Sequence, residues 1–364
     1  FVMNYLSSKT IFQILLLAIL AYGCGGGGGG DINNSNDDNT QNNNSLNQGL
    51  EGYLFFEQND SAFLLNAELG TYTRVPNTYW DRNETVFDMP ESAKFSVRPV
   101  FNDHTEFVIR ARNCYHSFGD ISTCIVIQDY SGKFHEQFST WDTISVPQLS
   151  PDRQHIAMFR NLTDDWLEIY TRSGDLVSSS RVDDNNFAWL STGRIIYVNG
   201  RRFVFTFPGS TEAEYNLELP SELAPGSFIG IFAVSPDETR IVFNLVTSDY
   251  SKPYIMNIDG TGIRQLADVP QSYSYKVINE PQWSPDGKWI LLKQGISAVS
   301  GGAQGALPYL FIVPSNVEDK VLVLSANNSE RSQEVRSFYR YESFDNRGSI
   351  TNRALSSTTL FWIP

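Results

Sequence analysis

QLSPDRQHIAMF at residues 148–159, AVSPDETRIVFN at 233–244 and QWSPDGKWILLK at 282–293 align without a gap, and that alignment decides how the rest of the chain is read. Each copy has a short apolar run ending at Ser150, Ser235 or Ser284, then Pro and Asp, then a second apolar run such as Ile241–Leu245. Proline fixes φ at the second position of a tight turn, Asp and Gly suit the later positions, and short Ser and Asp side chains bond nearby main-chain amides. The pattern predicts two antiparallel strands joined by a tight turn. Two weaker copies are VFNDHTEFVIR from Val100 and AWLSTGRIIYV from Ala188. With Phe101, Ser150, Ser191, Ser235 and Ser284 as register points, the steps are 49, 41, 44 and 49 residues. A spacing this regular marks a repeat architecture.

A third apolar run follows in most copies: Thr123–Gln128, Leu167–Thr171, Phe203–Phe207, Tyr254–Ile258 and Tyr309–Val313. Several of these end in Gly-containing turns, such as Arg172–Gly174 and Asp259–Thr261, after which a fourth strand completes the unit. Four short antiparallel strands per repeat are the blade of a β-propeller. At the N-terminal end, Gly52–Glu57, Ala62–Ala67 and Thr71–Val75 read as the last three strands of a unit whose first is missing. The C-terminal Leu360–Pro364 resembles the strand before the SPD turn, with nothing after it. The expectation is an all-β, six-bladed propeller spanning 50–364, closed by pairing the C-terminal strand with the N-terminal one. That closure removes two sheet edges that would invite aggregation.

The SPDG-type turn with an apolar residue or Trp283 before it, together with IDGTG at 258–262, resembles the WD40-like repeats of the TolB family and of prolyl-oligopeptidase propellers. The resemblance covers residues 50–364 and implies the propeller fold. The separate N-terminal domain typical of TolB has no counterpart, and a tether stands in its place. A prolyl-oligopeptidase activity would need an α/β-hydrolase domain for which no residues remain.

Before the repeats, Ile11–Tyr22 is a 12-residue apolar run broken only by Gln13 and preceded by Lys9. It is shorter than the roughly 20 residues a membrane span takes and suits the apolar core of a signal peptide. Leu20–Cys24 resembles the lipobox of bacterial lipoproteins, departing from it at Ala21 and Tyr22, and the resemblance implies a diacylglycerol on Cys24. An ordinary secretory signal ending near Gly23, or an uncleaved anchor, is the alternative. Six glycines, Gly25–Gly30, and an Asn, Asp, Ser and Gln tract then lead to Gly49. Such a segment buries little and behaves as a flexible coil, with a root-mean-square span of roughly 28 Å and a taut reach of about 80 Å. The organisation expected is a signal peptide at 1–23, a tether at 24–49 and a propeller at 50–364. Gly25 rather than Asp after the cysteine implies outer-membrane sorting by the same resemblance, in the periplasm or at the cell surface, with membrane contact through the lipid alone.

Composition narrows the function. Lys and Arg number 27 against 41 Asp and Glu, a net charge of −14, opposite to what a phosphate-tracking nucleic-acid binder uses. Three Cys and four His give too few ligands for a Cys-rich zinc architecture. GxSxG, HExxH, P-loop and dinucleotide motifs are absent from the sequence. His104, His116, His135 and His155 lack ligand spacing, and Asp103, Asp152, Asp237 and Asp286 recur once per repeat as turn caps. Neither a cofactor nor a metal is expected.

In a propeller the first-to-second and third-to-fourth turns share one face, and here they are short. The second-to-third and fourth-to-first connections share the other face, and the long ones are Pro76–Ser96, Asn113–Ser122, Gln271–Glu280, Lys293–Leu307 and Ala326–Thr358. Function in a rigid scaffold sits where loops lengthen. These loops hold Trp80, Arg82, Tyr115, His116, Tyr273, Tyr275, Arg336, Tyr339, Arg340 and Tyr341, residue types that dominate interface energetics. Local packing of the same aromatics is the competing explanation. Cys114 and Cys124 flank a predicted hairpin, and a disulfide there would stabilise by about 2.5–3 kcal/mol. The function expected is a monomeric, non-catalytic envelope scaffold that binds a protein or envelope partner. The alternative is a polysaccharide-binding or carbohydrate-active propeller of lyase or glycosidase type, using His116, Asp164, Asp165 and Asp249.

Overall fold

The computed structural model describes residues 49–58, 61–69, 72–74, 94–99, 106–115, 121–129, 134–140, 147–161, 165–182, 186–210, 213–270, 276–295, 309–325, 327–337 and 360–363. Contacts divide the chain into Phe1–Asn42 and Asn43–Pro364, and every described element lies in the second unit. The signal-like segment, Cys24 and the tether as far as Gln48 lie outside the described residues.

All described elements are strands or turns. The first sheet draws on β1 (Tyr53–Gln58), β2 (Ser61–Asn66) and β3 (Tyr72–Arg74). Next come β4 (Lys94–Pro99), β5 (Glu106–Tyr115), β6 (Ile121–Asp129) and β7 (Phe134–Thr140). A third group is β8 (Gln148–Leu149), β9 (His155–Asn161), β10 (Asp165–Thr171) and β11 (Leu176–Val182). The fourth is β12 (Phe187–Trp189), β13 (Ile195–Asn199), β14 (Arg202–Thr206) and β15 (Tyr215–Glu218). Then follow β16 (Phe228–Val234), β17 (Arg240–Val246), β18 (Tyr250–Asn257), β19 (Arg264–Gln265) and the short β20 (Ala267–Asp268). The chain ends in β21 (Lys276–Trp283), β22 (Trp289–Gly295), β23 (Tyr309–Pro314), β24 (Leu322–Val323), β25 (Arg336–Ser337) and β26 (Leu360–Ile363).

Within each group successive strands pair antiparallel, except that the short β20 and β24 pair in parallel with each other and β25 pairs with β23; β26 returns to pair antiparallel with β1, with Trp362 opposite Leu54. Repeated four-stranded meanders closed by strands from both chain ends make a β-propeller. Sheets of four or more strands number five among the described residues, which corrects the expectation of six separate ones. The cause is local. Tyr250 and Ser251 at the start of β18 pair in parallel with Lys276 and Val277 at the start of β21. The meanders β16–β17–β18–β19 and β21–β22–β23–β25 thereby become one eight-stranded sheet.

Apolar side chains of successive meanders pack face to face. Val108, Ile125 and Ile127 meet Leu149, Ile156, Met158 and Tyr170. The opposite face of the third sheet brings Phe159, Leu167 and Ile169 against Phe187, Trp189 and Ile195. Phe203 sits edge-on to Phe232 at 5.3 Å and to Phe243 at 5.6 Å, pairs that each contribute about 0.5–1.5 kcal/mol beyond their burial. Leu50, Leu54, Leu65 and Trp362 close against Leu291, Leu310 and Ile312, so the terminal strand is part of a core rather than an appendage.

The weak copy at 188–198 is in a different register from the one expected. Leu190, not Ser191, receives the bond from the Gly193 amide and donates to the Arg194 carbonyl, as Ser150 does with Arg153 and His155. The turn is one residue shorter, so Trp189 occupies the position of Trp283. Both indoles donate to the inner strand of the preceding meander, Trp189 Nε1 to the Gln148 carbonyl at 3.4 Å and Trp283 Nε1 to the Ala233 carbonyl at 3.1 Å.

Candidate functional site

Two sets of connections could carry function, and they differ in build. The SPD turns are assembled identically. Ser150 Oγ donates to Asp152 Oδ1 at 2.5 Å, Ser235 Oγ to Asp237 Oδ1 at 2.5 Å and Ser284 Oγ to Asp286 Oδ1 at 2.6 Å. The same hydroxyls accept from the amides of His155, Arg240 and Trp289 at 2.9, 2.9 and 2.8 Å. Each Asp also accepts the amide two residues on, from Gln154, Thr239 or Lys288. Partial burial pushes these carboxyls up, but the serine hydroxyl and the turn amide outweigh it and hold all three below the ordinary Asp value. They are ionised turn caps, as the sequence suggests for Asp152, Asp237 and Asp286. Asp103 lies outside the described residues. Asp259 is a further cap, its carboxylate accepting from the Thr261 hydroxyl and amide.

Side chains also tie one turn to the next. Glu238 bonds both the amide and the hydroxyl of Ser191, the hydroxyl at 2.9 Å. Arg240 lies over the Trp283 ring at 4.8 Å and donates to the Ser315 carbonyl at 3.0 Å. This face is a network of links between neighbouring meanders.

The opposite set of connections is tight in the middle of the chain. The β13–β14 hairpin turns at Gly200 and Arg201, and the Arg201 guanidinium donates to the carbonyls of Pro220, Leu223, Ala224 and Ser227 and to Ser227 Oγ. One guanidinium thereby clips the whole connection before β16. Sequence reasoning missed it because its partners are main-chain carbonyls, which leave no residue signature. The β17–β18 turn is equally compact, with the Thr247 amide donating to the Tyr250 carbonyl at 2.8 Å. The three longest intervals between described strands are elsewhere, 75–93, 296–308 and 338–359, which lie outside the described residues and separate β3 from β4, β22 from β23 and β25 from β26.

Of the residues proposed from sequence, Trp80, Arg82, His116, Tyr273, Tyr275, Tyr339, Arg340 and Tyr341 lie outside the described residues, as do His104 and Asp164. Tyr115 is the last residue of β5 and pairs with Ile121, so the loop expected from Asn113 begins later. A bulge between Arg112 and Cys114 lets the pairing continue. The register sets Cys114 opposite Ser122 and Cys124 opposite Ala111 on these adjacent strands. Arg336 belongs to β25, not to a loop, pairing with Ile312, and its guanidinium lies 4.1 Å over the Trp289 ring. Asp165 is likewise in a strand, at the start of β10 and 1% exposed, instead of on an open loop. Asp249 sits in the exposed β17–β18 turn, where its amide bonds Thr247 Oγ1. His155 Nδ1 is 3.9 Å from Asp152 Oδ1. Among the described residues no group of three or more His, Cys, Asp or Glu is arranged to hold a metal ion.

No family model and no curated protein matches this sequence. Among solved structures, the chain is similar to a TolB protein assigned in Agrobacterium tumefaciens at 11% identity, covering 73% of this chain and 86% of that one with a TM-score of 0.45. A 6-phosphogluconolactonase candidate from Bacteroides uniformis is similar at 12% identity over 74% of this chain and 80% of that one, TM-score 0.45. The propeller domain of the Trilobed protease from Pyrococcus furiosus, whose topology is described as an open velcro, is similar at 13% identity over 62% and 70% with a TM-score of 0.38.

Proposed function

We propose that this chain is a lipid-anchored scaffold of the bacterial cell envelope, which binds a protein or envelope partner through its long connections and performs no chemistry of its own. In this reading the eight-stranded sheet counts as two blades sharing a short seam, so that six four-stranded units make the ring. The lipid is carried by Cys24, the tether gives it reach, and the propeller works as a monomer in the periplasm or on the cell surface.

One observation carries the reading. The three longest intervals between described strands all fall in consecutive parts of the fold: the last meander, the sheet made of both termini, and the entry into β4. Those segments hold Trp80, Arg82, Tyr339, Arg340 and Tyr341. The middle of the chain has the Arg201 clip and compact hairpins at the equivalent places. A sequence that concentrates aromatic and arginine residues in the intervals of one sector of the ring suits a protein interface better than a central cavity shared by all repeats.

Crosslinking and affinity purification from envelope fractions test the reading. A stoichiometric partner is expected, lost on the double substitution Trp80→Ala and Arg82→Ala or on Tyr339→Ala with Tyr341→Ala, and retained with Lys288→Ala on the turn face. Retention by both loop variants and loss with Lys288→Ala would place the interface on the turn face and overturn the proposal. Specific retention of purified envelope polysaccharide without any protein would favour a carbohydrate binder instead.

A further inference from the structure

We infer that the last two complete meanders, β16–β19 and β21–β25, are welded into a single rigid unit that opens and closes as one, so that any conformational change in the propeller takes place at its other junctions.

Among the described residues, the junctions differ in what crosses them. Between β8–β11 and β12–β15, the polar links run through side chains, Gln148 Nε2 to the Phe187 carbonyl and Trp189 Nε1 to the Gln148 carbonyl. Between β12–β15 and β16–β19, one main-chain bond joins them, Ile229 N to the Gly200 carbonyl at 3.1 Å, with Asn186 Nδ2 donating to the Phe232 carbonyl and the Glu238–Ser191 contact beside it. The junction between β16–β19 and β21–β25 instead has two main-chain ladders, made side by side by β18 and β20. Near the starts of the strands, β18 pairs in parallel with β21. Beside it, β20 pairs in parallel with β24, with Leu322 N donating to the Leu266 carbonyl at 3.0 Å and Leu324 N to the Asp268 carbonyl at 2.8 Å.

Buried polar groups lock the first seam. Asn244 is 1% exposed and Ser251 3% exposed. Asn244 Nδ2 donates both to Ser251 Oγ at 3.2 Å and to the Ile278 carbonyl, and Ser251 Oγ donates to that same carbonyl at 2.9 Å. A single carbonyl on β21 thus gathers two donors from β17 and β18. Across the same junction, Val242 and Ile255 of the earlier meander share one apolar cluster with Ile278, Ile290, Leu292, Phe311 and Val313 of the later one. At the turn end, Arg240 reaches Ser315 and Trp283 Nε1 reaches Ala233. Ladders at one end of the junction and the Arg240 and Trp283 links at its turn end, at opposite ends of β17 and β18, resist both sliding and hinging, because a rotation that relaxes one strains the other. Buried hydrogen bonds left unpaired are expensive, so the junction separates only with the loss of both meanders.

Hydrogen exchange on the full chain under mild denaturant tests this, since cooperative units show as shared opening free energies and denaturant slopes. The amides of 241–246 and 254–257 are expected to open together with those of 277–280, 282–283 and 290–294, while 156–160 and 166–170 follow a separate isotherm. Ser251→Ala is expected to lower protection about tenfold on both sides of the seam and to leave 156–160 unchanged, whereas Asn186→Ala at the neighbouring junction leaves 277–283 unchanged. Distinct isotherms for 241–257 and 277–294 in the unmodified chain would overturn the inference whatever the variants do, as would a Ser251→Ala effect confined to one side.

Discussion

Gly52 has φ +87°, and a Cβ placed on it would collide with the Ile363 carbonyl oxygen and lie 2.8 Å from Pro285 Cγ. The residue is a glycine because the terminal strand and the last SPD turn both press on it. Gly49 has φ +78° and open space within 4 Å of where an alanine methyl would stand, so it isolates the backbone contribution. Gly49→Ala is expected to lower stability by about 1 kcal/mol and Gly52→Ala by more than about 3 kcal/mol, read from denaturant midpoints. Equal effects would mean that the close approach is relieved without cost. The turn carboxylates predict a pH dependence of definite sign. Asp152, Asp237 and Asp286 titrate below the ordinary Asp value in the folded protein, so they bind fewer protons folded than unfolded. Their stabilisation is present above about pH 4 and lost as the pH falls through their folded values. Replacing all three by Asn should flatten the acid limb of melting temperature against pH while changing the slope between pH 6 and 8 little. Arg336 is held on Trp289 with its pKa lowered by burial. Arg336→Ala is therefore expected to reduce stability by about 1 kcal/mol.

At the scale of the strand, β26 is where both ends of the chain become interdependent. Trp362 is 7% exposed, its indole donates to the Glu51 carbonyl at 2.8 Å, and its ring belongs to the cluster around Leu54 and Leu291. Deleting 360–364 removes this side chain and bares the inner edge of β1. A marked drop in melting temperature is expected, with light scattering rising on heating as the bared edge pairs between molecules. A truncated protein that melts like the full one would falsify the closure as a source of stability. The outer edges are guarded differently. β3, β19 and β25 are very short, and β7 and β11 each carry a register shift against the strand they pair with. Much of this was legible in sequence, because an SPD turn packs its chemistry into three adjacent residues and its strands repeat. The parallel seam between β18 and β21 was not, since a two-residue parallel pairing has no period and no turn. Nor was the shift from Ser191 to Leu190, because Ser191 looks like the repeated serine while a shorter turn moves the hydrogen-bonding position one residue back. The candidate interface was legible only as composition: Arg336 was read into a loop, yet it pairs with Ile312 and stacks on Trp289, contacts that no spacing rule announces.

For the molecule as a whole, the contacts divide at Asn42–Asn43, within the proposed tether, and the described core begins at Leu50. A Gly- and Asn-rich coil contributes almost nothing to burial, so the anchor and the fold should be energetically independent. Lipid attachment then changes where the protein is and not how stable it is. Cys24→Ser is expected to shift the protein from the detergent phase to the aqueous phase on fractionation, and to abolish incorporation of labelled fatty acid. Its melting temperature should match that of the lipidated protein in the same detergent within about 1 °C if the proposed tether acts as a flexible coil. Two acyl chains or more are needed for firm anchoring, so the shift should be nearly complete rather than partial. Membrane retention of Cys24→Ser would mean that the apolar run at Ile11–Tyr22 stays attached as an anchor. A melting temperature altered by several degrees would mean instead that the segment before Leu50 packs on the propeller.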